Sequence, residues 1–148
     1  MKKVIAMALM VATVLAAGVI LVGCGRDLNF EDLSGRWNLT SYRVTGNGLN
    51  VNINSNSGEA WEALAYDFVE FREDGTFTWR NNGVEGLGFR AEETTGRWRI
   101  KSRRKGEVEL RSGGQDHCWY ISISGDTLTM NDAEGERTRT RLTFARHG

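Results

Sequence analysis

Proline is absent from the 148-residue sequence, and cysteine and histidine each occur only twice. The absence of proline favours a β-sheet, because nearly every strand residue then keeps the backbone N–H that a sheet requires. Excess charge of either sign is also lacking, with 19 basic and 19 acidic residues. A nucleic-acid-binding domain is typically basic, so no nucleic-acid partner is predicted.

Recognisable catalytic motifs are missing as well. The sequence has no glycine-rich phosphate loop, no His-Glu-x-x-His and no Gly-x-Ser-x-Gly. Asp116-His117-Cys118 suggests a metal site or a thiol nucleophile, but alternation along a strand would put His117 and Cys118 on opposite faces. We therefore favour a surface histidine and a lone thiol, and predict no enzyme activity, no metal and no cofactor.

The N-terminus has the features of an export signal. Two lysines follow Met1, and an apolar run then extends from Val4 to Val22. The run leads into Leu21-Val22-Gly23-Cys24, which resembles the lipobox of bacterial lipoprotein precursors. The resemblance implies cleavage before Cys24 and lipid on its sulfur and amine, and three acyl chains would anchor the protein stably to a membrane. An uncleaved anchor helix is the alternative, because the run is about long enough to span a bilayer.

Lipid on Cys24 would organise the rest of the chain. Residues 1–23 become a signal peptide that precedes the fold as a helix, residues 24–32 a tether and residues 33–148 a single domain. Cys118 is left without a partner, so the domain is expected to lack an internal disulfide. No aspartate follows Cys24. This resembles the default sorting of such lipoproteins to the outer membrane, facing the periplasm, if the host is Gram-negative.

From Gly35 onward the apolar residues recur with a period of two, which is typical of strands with one buried face. The clearest hairpin joins Tyr66–Phe71 to Thr76–Trp79 through a turn that closes at Gly75. Residues 45–59 are rich in glycine, asparagine and serine and predict a long mobile loop, with a helical turn after Glu59. The remaining strands are predicted near residues 35–44, 89–93, 96–101, 107–110, 118–124, 128–130 and 138–146.

The strand pattern defines the fold class. About eight short strands joined by tight turns predict an all-β, antiparallel up-and-down meander that closes into a barrel, because closure removes exposed sheet edges. A two-sheet sandwich is the alternative.

Several short motifs, taken in order, resemble the lipocalin-like domains of small bacterial lipoproteins. They are Gly35-Arg36-Trp37, Phe71-Arg72-Glu73-Asp74-Gly75-Thr76-Phe77, Gly96-Arg97-Trp98, Asp126-Thr127-Leu128-Thr129-Met130 and Phe144-Ala145-Arg146. The resemblance runs from about Leu33 to Arg146 and implies a barrel whose first tryptophan, Trp37, lies at the closed end beneath an arginine. Arg146 shares the parity of Leu142 and Phe144, so it should point inward, and we predict cation–π stacking of Arg146 on Trp37.

Two functions are compatible with such a barrel. Eight strands enclose either a filled core or room for one small apolar ligand. The first hypothesis is a membrane-anchored, non-enzymatic monomer that binds a small hydrophobic ligand through Trp79, Phe89, Trp98 and Trp119. The second is an envelope interaction protein or inhibitor with a solid core, whose 45–59 loop contacts another protein. A hollow or a filled interior distinguishes the two.

Basic residues are concentrated between Arg97 and Lys105. Near a lipid anchor, such a run suggests contact with anionic lipid or lipopolysaccharide. On an outward strand face, it suggests pairing with Glu107 and Glu109 across a hairpin. We favour the paired strand face.

Overall fold

The computed structural model describes residues 27–81, 93–135 and 137–148. Within these ranges the chain forms nine strands and two single-turn helices. In chain order they are α1 (Phe30–Leu33), β1 (Gly35–Gly46), β2 (Leu49–Asn54), α2 (Glu59–Glu62), β3 (Phe68–Phe71), β4 (Thr76–Arg80), β5 (Glu93–Ser102), β6 (Glu107–Ser112), β7 (Gln115–Ser124), β8 (Thr127–Asp132) and β9 (Arg139–Arg146). The predicted signal peptide, Cys24 and Phe89 lie outside the described residues.

The strands form one antiparallel sheet that closes into a barrel. Consecutive strands pair from β3 to β9, and β1 pairs with both β3 and β9. The closed ring therefore has eight strands, β1 and β3 to β9. The predicted all-β up-and-down barrel is confirmed, and the chain does not form the alternative two-sheet sandwich.

β1 is long enough to have two neighbours along one edge. Its first part, Gly35 to Asn38, pairs with β3, whereas Ser41 to Gly46 pair with β2. A bulge between Leu39 and Ser41 in the β1–β9 pairing changes the parity of the inward side chains. β2 thus extends the sheet beside the second half of β1 and lies outside the eight-stranded ring.

The long loop predicted at residues 45–59 is wrong. Its first two residues complete β1, the middle of the segment forms β2, and α2 begins at Glu59. Asn47 and Gly48 have φ angles of 51° and 77°, as a two-residue hairpin turn requires. The Asn-Gly pair is a hairpin signal that the polar composition of the segment obscures. The helical turn expected after Glu59 is present.

The core consists of the alternate side chains that point into the barrel. The following inward residues are each exposed by 4% or less: Trp37, Val69, Phe71, Phe77, Trp79, Trp98, Val108, Leu110, Trp119, Ile121, Leu128, Met130, Leu142 and Phe144. Burial of each large apolar side chain stabilises the fold by roughly 1.5–3 kcal/mol. Aromatic packing is therefore a main source of stability.

One end of the barrel is covered by the chain that leads into it. At this closed end β1 begins and β9 ends, and the turns 72–75, 103–106 and 125–126 are found here. The Leu28 N–H donates to the Arg103 carbonyl oxygen at 2.9 Å, and Leu33 is fully buried. Residues 28–32, which the sequence analysis assigned to the tether, thus pack on the barrel.

The opposite end, called the open end below, is bordered by β2, α2 and the turns after β6 and β8. Both helices are only four residues long. In the described ranges, no helix is long and apolar enough to cross a membrane.

Candidate functional site

Two tryptophans meet inside the barrel towards its open end. Trp79 lies on β4 and Trp119 on β7, and their side chains are exposed by 1% and 0%. The two ring centroids are 5.4 Å apart and the planes are inclined by 72°, which is an edge-to-face contact. The fold therefore brings together two of the side chains predicted to bind a ligand.

Polar groups accompany this tryptophan pair. Thr94 lies opposite Trp79 in the β4–β5 pairing, and Asn81 follows Trp79 by two residues. Thr94 Oγ1, both side-chain polar atoms of Asn81, and Trp119 Nε1 are buried and have no hydrogen-bond partner in the described part of the protein. A buried polar group without a partner costs about 1–3 kcal/mol. Such groups are candidates for contact with a ligand.

The polar character continues at the open end with His117. Its Nε2 lies 2.9 Å from Asp132 Oδ1, and its Nδ1 lies 2.8 Å from Glu134 Oε2. The imidazole centroid is 5.1 Å from that of Trp119. The predicted surface histidine is wrong, because the His117 side chain is only 14% exposed. His117 lies two residues before the inward Trp119, so the alternation along the strand already indicates that its side chain points inward.

Cys118 is a free and buried thiol whose Sγ lies 3.9 Å from Lys101 Nζ. Burial raises the pKa of this thiol, and the positive charge of Lys101 only partly opposes that effect. A raised pKa disfavours the thiolate, which is the nucleophilic form. In the described ranges, no three His, Cys, Asp or Glu side chains are arranged to hold a metal ion.

Trp98 does not join the tryptophan pair. It stacks on Phe30 of α1 with centroids 4.4 Å apart and meets Phe71 edge-on at 5.3 Å. Its Nε1–H donates to the Arg72 carbonyl oxygen at 3.0 Å. These contacts hold Trp98 towards the closed end with its N–H satisfied. Of the residues predicted to bind a ligand, Trp79 and Trp119 therefore lie together and Trp98 lies apart from them. Phe89 lies outside the described residues.

The closed end contains the pair predicted from the first and last strands. Arg146 Cζ lies 4.1 Å from the centroid of the Trp37 ring, and the two residues are partners in the β1–β9 pairing. The Arg146 guanidinium also donates to the carbonyl oxygens of Ser34 and Asp32, at 3.4 and 3.0 Å. The expected stacking is present, and it also holds the α1 segment to β9.

The basic run divides into a strand part and a turn part. On β5, Arg99 Nε lies 2.8 Å from Glu109 Oε1, and Lys101 Nζ lies 3.7 Å from Glu107 Oε1. These residues form the paired strand face that the sequence analysis favours. In the turn, the side chains at 103–105 are exposed and have no ion pair within the described residues. Pairing across the β5–β6 hairpin therefore accounts for the basic residues of the strand and not for those of the turn.

The family of the chain follows from a comparison with family models. A model described as a lipocalin-like domain matches residues 33–130. The match covers well over half of the chain, and the protein belongs to this family of lipocalin-like domains. A barrel of this kind fits a ligand-binding or interaction module, although fold alone does not determine which.

A solved structure has a similar fold. The crystal structure of a DUF4847 family protein from Bacteroides vulgatus superposes with a TM-score of 0.50 at 13% sequence identity. The alignment covers 78% of this chain and 96% of that one. At such low identity the similarity shows the fold alone. No curated protein matches the chain.

Proposed function

We propose that this protein is a lipid-anchored, non-enzymatic lipocalin-like monomer that binds one small molecule through the open end of its barrel. The ligand is largely apolar and carries hydrogen-bonding groups. In this proposal the buried rings of Trp79 and Trp119 form the aromatic side of the site, and Asn81, Thr94 and the Trp119 N–H provide its donors and acceptors. A few polar groups within an apolar lining are typical of small-molecule pockets.

The observation that carries this proposal is the set of buried polar groups without a hydrogen-bond partner among the described residues. Thr94 and Asn81 are exposed by only 6% and 1%. In a barrel that only needs a filled core, valine and leucine would occupy these positions at similar volume and without the desolvation cost of about 1–3 kcal/mol. Contact with a ligand is a physical reason to keep a hydroxyl and an amide there.

The lipid anchor is proposed at Cys24, on the outer membrane and facing the periplasm if the host is Gram-negative. Its support is the Leu21-Val22-Gly23-Cys24 motif. Metabolic labelling with palmitate tests it. We expect the label to be lost in Cys24→Ser and kept in Cys118→Ser, which removes the other cysteine. An unlabelled wild-type protein would contradict the anchor.

Ligand binding can be tested with 1-aminoanthracene, a flat aromatic amine, added to the purified full-length protein in detergent. We expect a saturable rise in probe emission, with an affinity that falls several-fold in Thr94→Val and in Trp119→Phe. Trp119→Phe keeps an aromatic ring and removes only the indole N–H and some volume. Thr95→Val, on the outer face of the same strand, is the matched control.

Two results would count against the open-end site. The first is saturable binding that neither inward substitution weakens. The second is the absence of saturable binding together with a native mass spectrum that shows no co-purified small molecule.

A second function, an envelope interaction module or inhibitor, is favoured by β2. Among the described strands β2 pairs only with β1, so its outer edge is unpaired within this part of the chain. Leu49 and Val51 alternate along it and are 51% and 38% exposed. A strand edge with exposed apolar side chains is suited to the addition of a partner's strand. Under this alternative the barrel is solid and β2 carries the function.

A further inference from the structure

A cleft of about 400 Å³ opens at the closed end, beside the point where the chain enters the barrel. We call it the basic cleft. Its lining includes the basic residues Arg103, Arg104, Lys105 and Arg146, the apolar residues Leu28, Ile121 and Ile123, and the acidic residues Asp27 and Asp32. Charged and apolar residues therefore line the cleft together.

The turn between β5 and β6 supplies the available positive charge of this cleft. Arg103, Arg104 and Lys105 are exposed and make no ion pair with any residue that the structure describes. Arg146, by contrast, is occupied by its stacking on Trp37. Three unpaired cations in one tight turn repel one another, so an anionic partner at the turn would be favourable.

Chain length limits how far the closed end can lie from a lipid on Cys24. Leu28 is hydrogen-bonded to the Arg103 backbone, and Cys24 precedes Leu28 by four residues. Even fully extended, a segment of four residues spans at most about 14 Å. A lipid on Cys24 therefore holds the 103–105 turn close to the headgroup layer. With the proposed anchor in place, the closed end is the end of the barrel nearer the bilayer.

We propose that the basic cleft binds the headgroups of anionic phospholipids in the membrane that holds the anchor. The proposal rests on the lipid anchor proposed above. Arginine guanidinium groups bind phosphate oxygens through paired hydrogen bonds, and a nearby lysine adds a point charge. Ile123, a partly exposed apolar residue in the lining of the cleft, suits the glycerol and the first acyl carbons. The two ends of the barrel then have separate partners, lipid at one and ligand at the other.

Hydrogen exchange of the full-length lipidated protein tests this contact. The protein is reconstituted in vesicles of phosphatidylcholine alone and in vesicles of phosphatidylcholine with phosphatidylglycerol. We expect exchange in the 103–106 turn to slow several-fold in the anionic vesicles only. The difference should disappear near 1 M salt, where the screening length falls to about 3 Å.

Charge-matched variants show whether the turn itself makes the contact. The triple variant Arg103→Ser, Arg104→Ser and Lys105→Ser should lose the difference between the two vesicle types. The triple variant Arg137→Ser, Arg139→Ser and Arg141→Ser removes the same charge at the opposite end of the barrel and should keep it.

The outcomes separate this contact from the anchor. Flotation of the protein with both vesicle types, with equal exchange in both, would overturn the headgroup contact and leave the anchor intact. Failure to float with phosphatidylcholine vesicles would contradict the anchor, and failure to float with the anionic vesicles as well would contradict the contact too. Equal slowing by inorganic phosphate without vesicles would assign the cleft to soluble anions and overturn the lipid assignment.

Discussion

Arg146 lies over Trp37, with its guanidinium carbon 4.1 Å from the centroid of the ring, where the first and last strands of the barrel meet. Trp37 is fully buried, and its Nε1–H donates to the Leu33 carbonyl oxygen at 2.9 Å. Arg146 covers the ring face and donates to the carbonyl oxygens of Ser34 and Asp32. The pair therefore joins β1, β9 and the α1 segment at one point.

We expect Arg146→Gln to lower the free energy of unfolding by about 1–2 kcal/mol, because it removes a cation–π contact and charge-assisted hydrogen bonds. Urea denaturation of the purified protein measures this change. Arg139→Gln, an exposed position on the same strand, is the control and should remain within about 0.5 kcal/mol of the wild type. Equal stability of the Arg146 and Arg139 variants would show that the stacking contributes nothing to barrel closure.

Substitution of Thr94 is expected to affect stability and binding in opposite directions. Thr94→Val replaces a buried hydroxyl that has no hydrogen-bond partner within the described residues. The ligand-free protein should therefore be as stable as the wild type or more stable, by up to about 1 kcal/mol. Binding of 1-aminoanthracene should weaken several-fold. Thr95→Val should change neither quantity by a comparable amount, and a clear loss of stability in Thr94→Val would assign the hydroxyl a structural role.

Gly96 is required because the backbone of β6 and the Phe77 ring lie very close to it, and not because its backbone angle is unusual. A Cβ at this position would overlap the Arg111 carbonyl oxygen and would lie only 2.9 Å from Phe77 Cε1. Since backbone cannot move aside cheaply, we expect Gly96→Ala to destabilise the protein by about 1–3 kcal/mol or more. Gly148→Ala, where a Cβ would meet nothing within 4 Å, is the control. Thermal unfolding of both variants measures the difference.

The period of two was sufficient to predict most of the barrel from the sequence. Apart from Ile123, which is only partly buried, the apolar residues predicted to face inward on β6 to β9 are buried. The antiparallel neighbours β1 and β9 bring Trp37 to Arg146. Packing explains the glycine of the second Gly-x-Trp motif, because Gly96 allows β5 to pack closely against Phe77 and the β6 backbone. These features depend on local pattern and on the order of the strands.

The features that sequence reasoning missed depend on contacts between distant segments. The sequence predicts a loop where β2 forms, because the polar residues and the exposed Leu49 and Val51 give no buried face, although Asn47-Gly48 marks the turn. The sequence places Phe30 in the tether, because nothing local indicates that its ring stacks on Trp98. The polar groups around the tryptophan pair are visible only once β4, β5 and β7 are placed side by side.

The Cys118 thiol should react slowly at neutral pH. Burial raises the pKa of this thiol, so its thiolate forms at higher pH than in a free cysteine. The neutral thiol is favoured in the folded state, and its contribution to stability is lost as pH rises through the folded-state pKa. Iodoacetamide labelling of Cys24→Ser should therefore be much slower for the folded than for the urea-unfolded protein, with the gap narrowing as pH increases. Equal rates at pH 7 would contradict this burial effect.

Phe30 tests whether the segment that precedes β1 is part of the folded barrel. Its ring stacks on Trp98 with an interplanar angle of 15°. We expect Phe30→Ala to lower the free energy of unfolding by about 1–2 kcal/mol, from lost apolar burial and ring stacking. The near-ultraviolet circular dichroism of the stacked rings should also decrease, and backbone exchange at Leu28 should increase. Glu31→Ala, at the exposed neighbouring position, should change none of these three measurements. If Phe30→Ala is as stable as Glu31→Ala, then α1 does not contribute to the stability of the barrel. In that case Leu28 does not fix the distance between Cys24 and the closed end, and the proposed membrane-facing orientation loses its geometric basis.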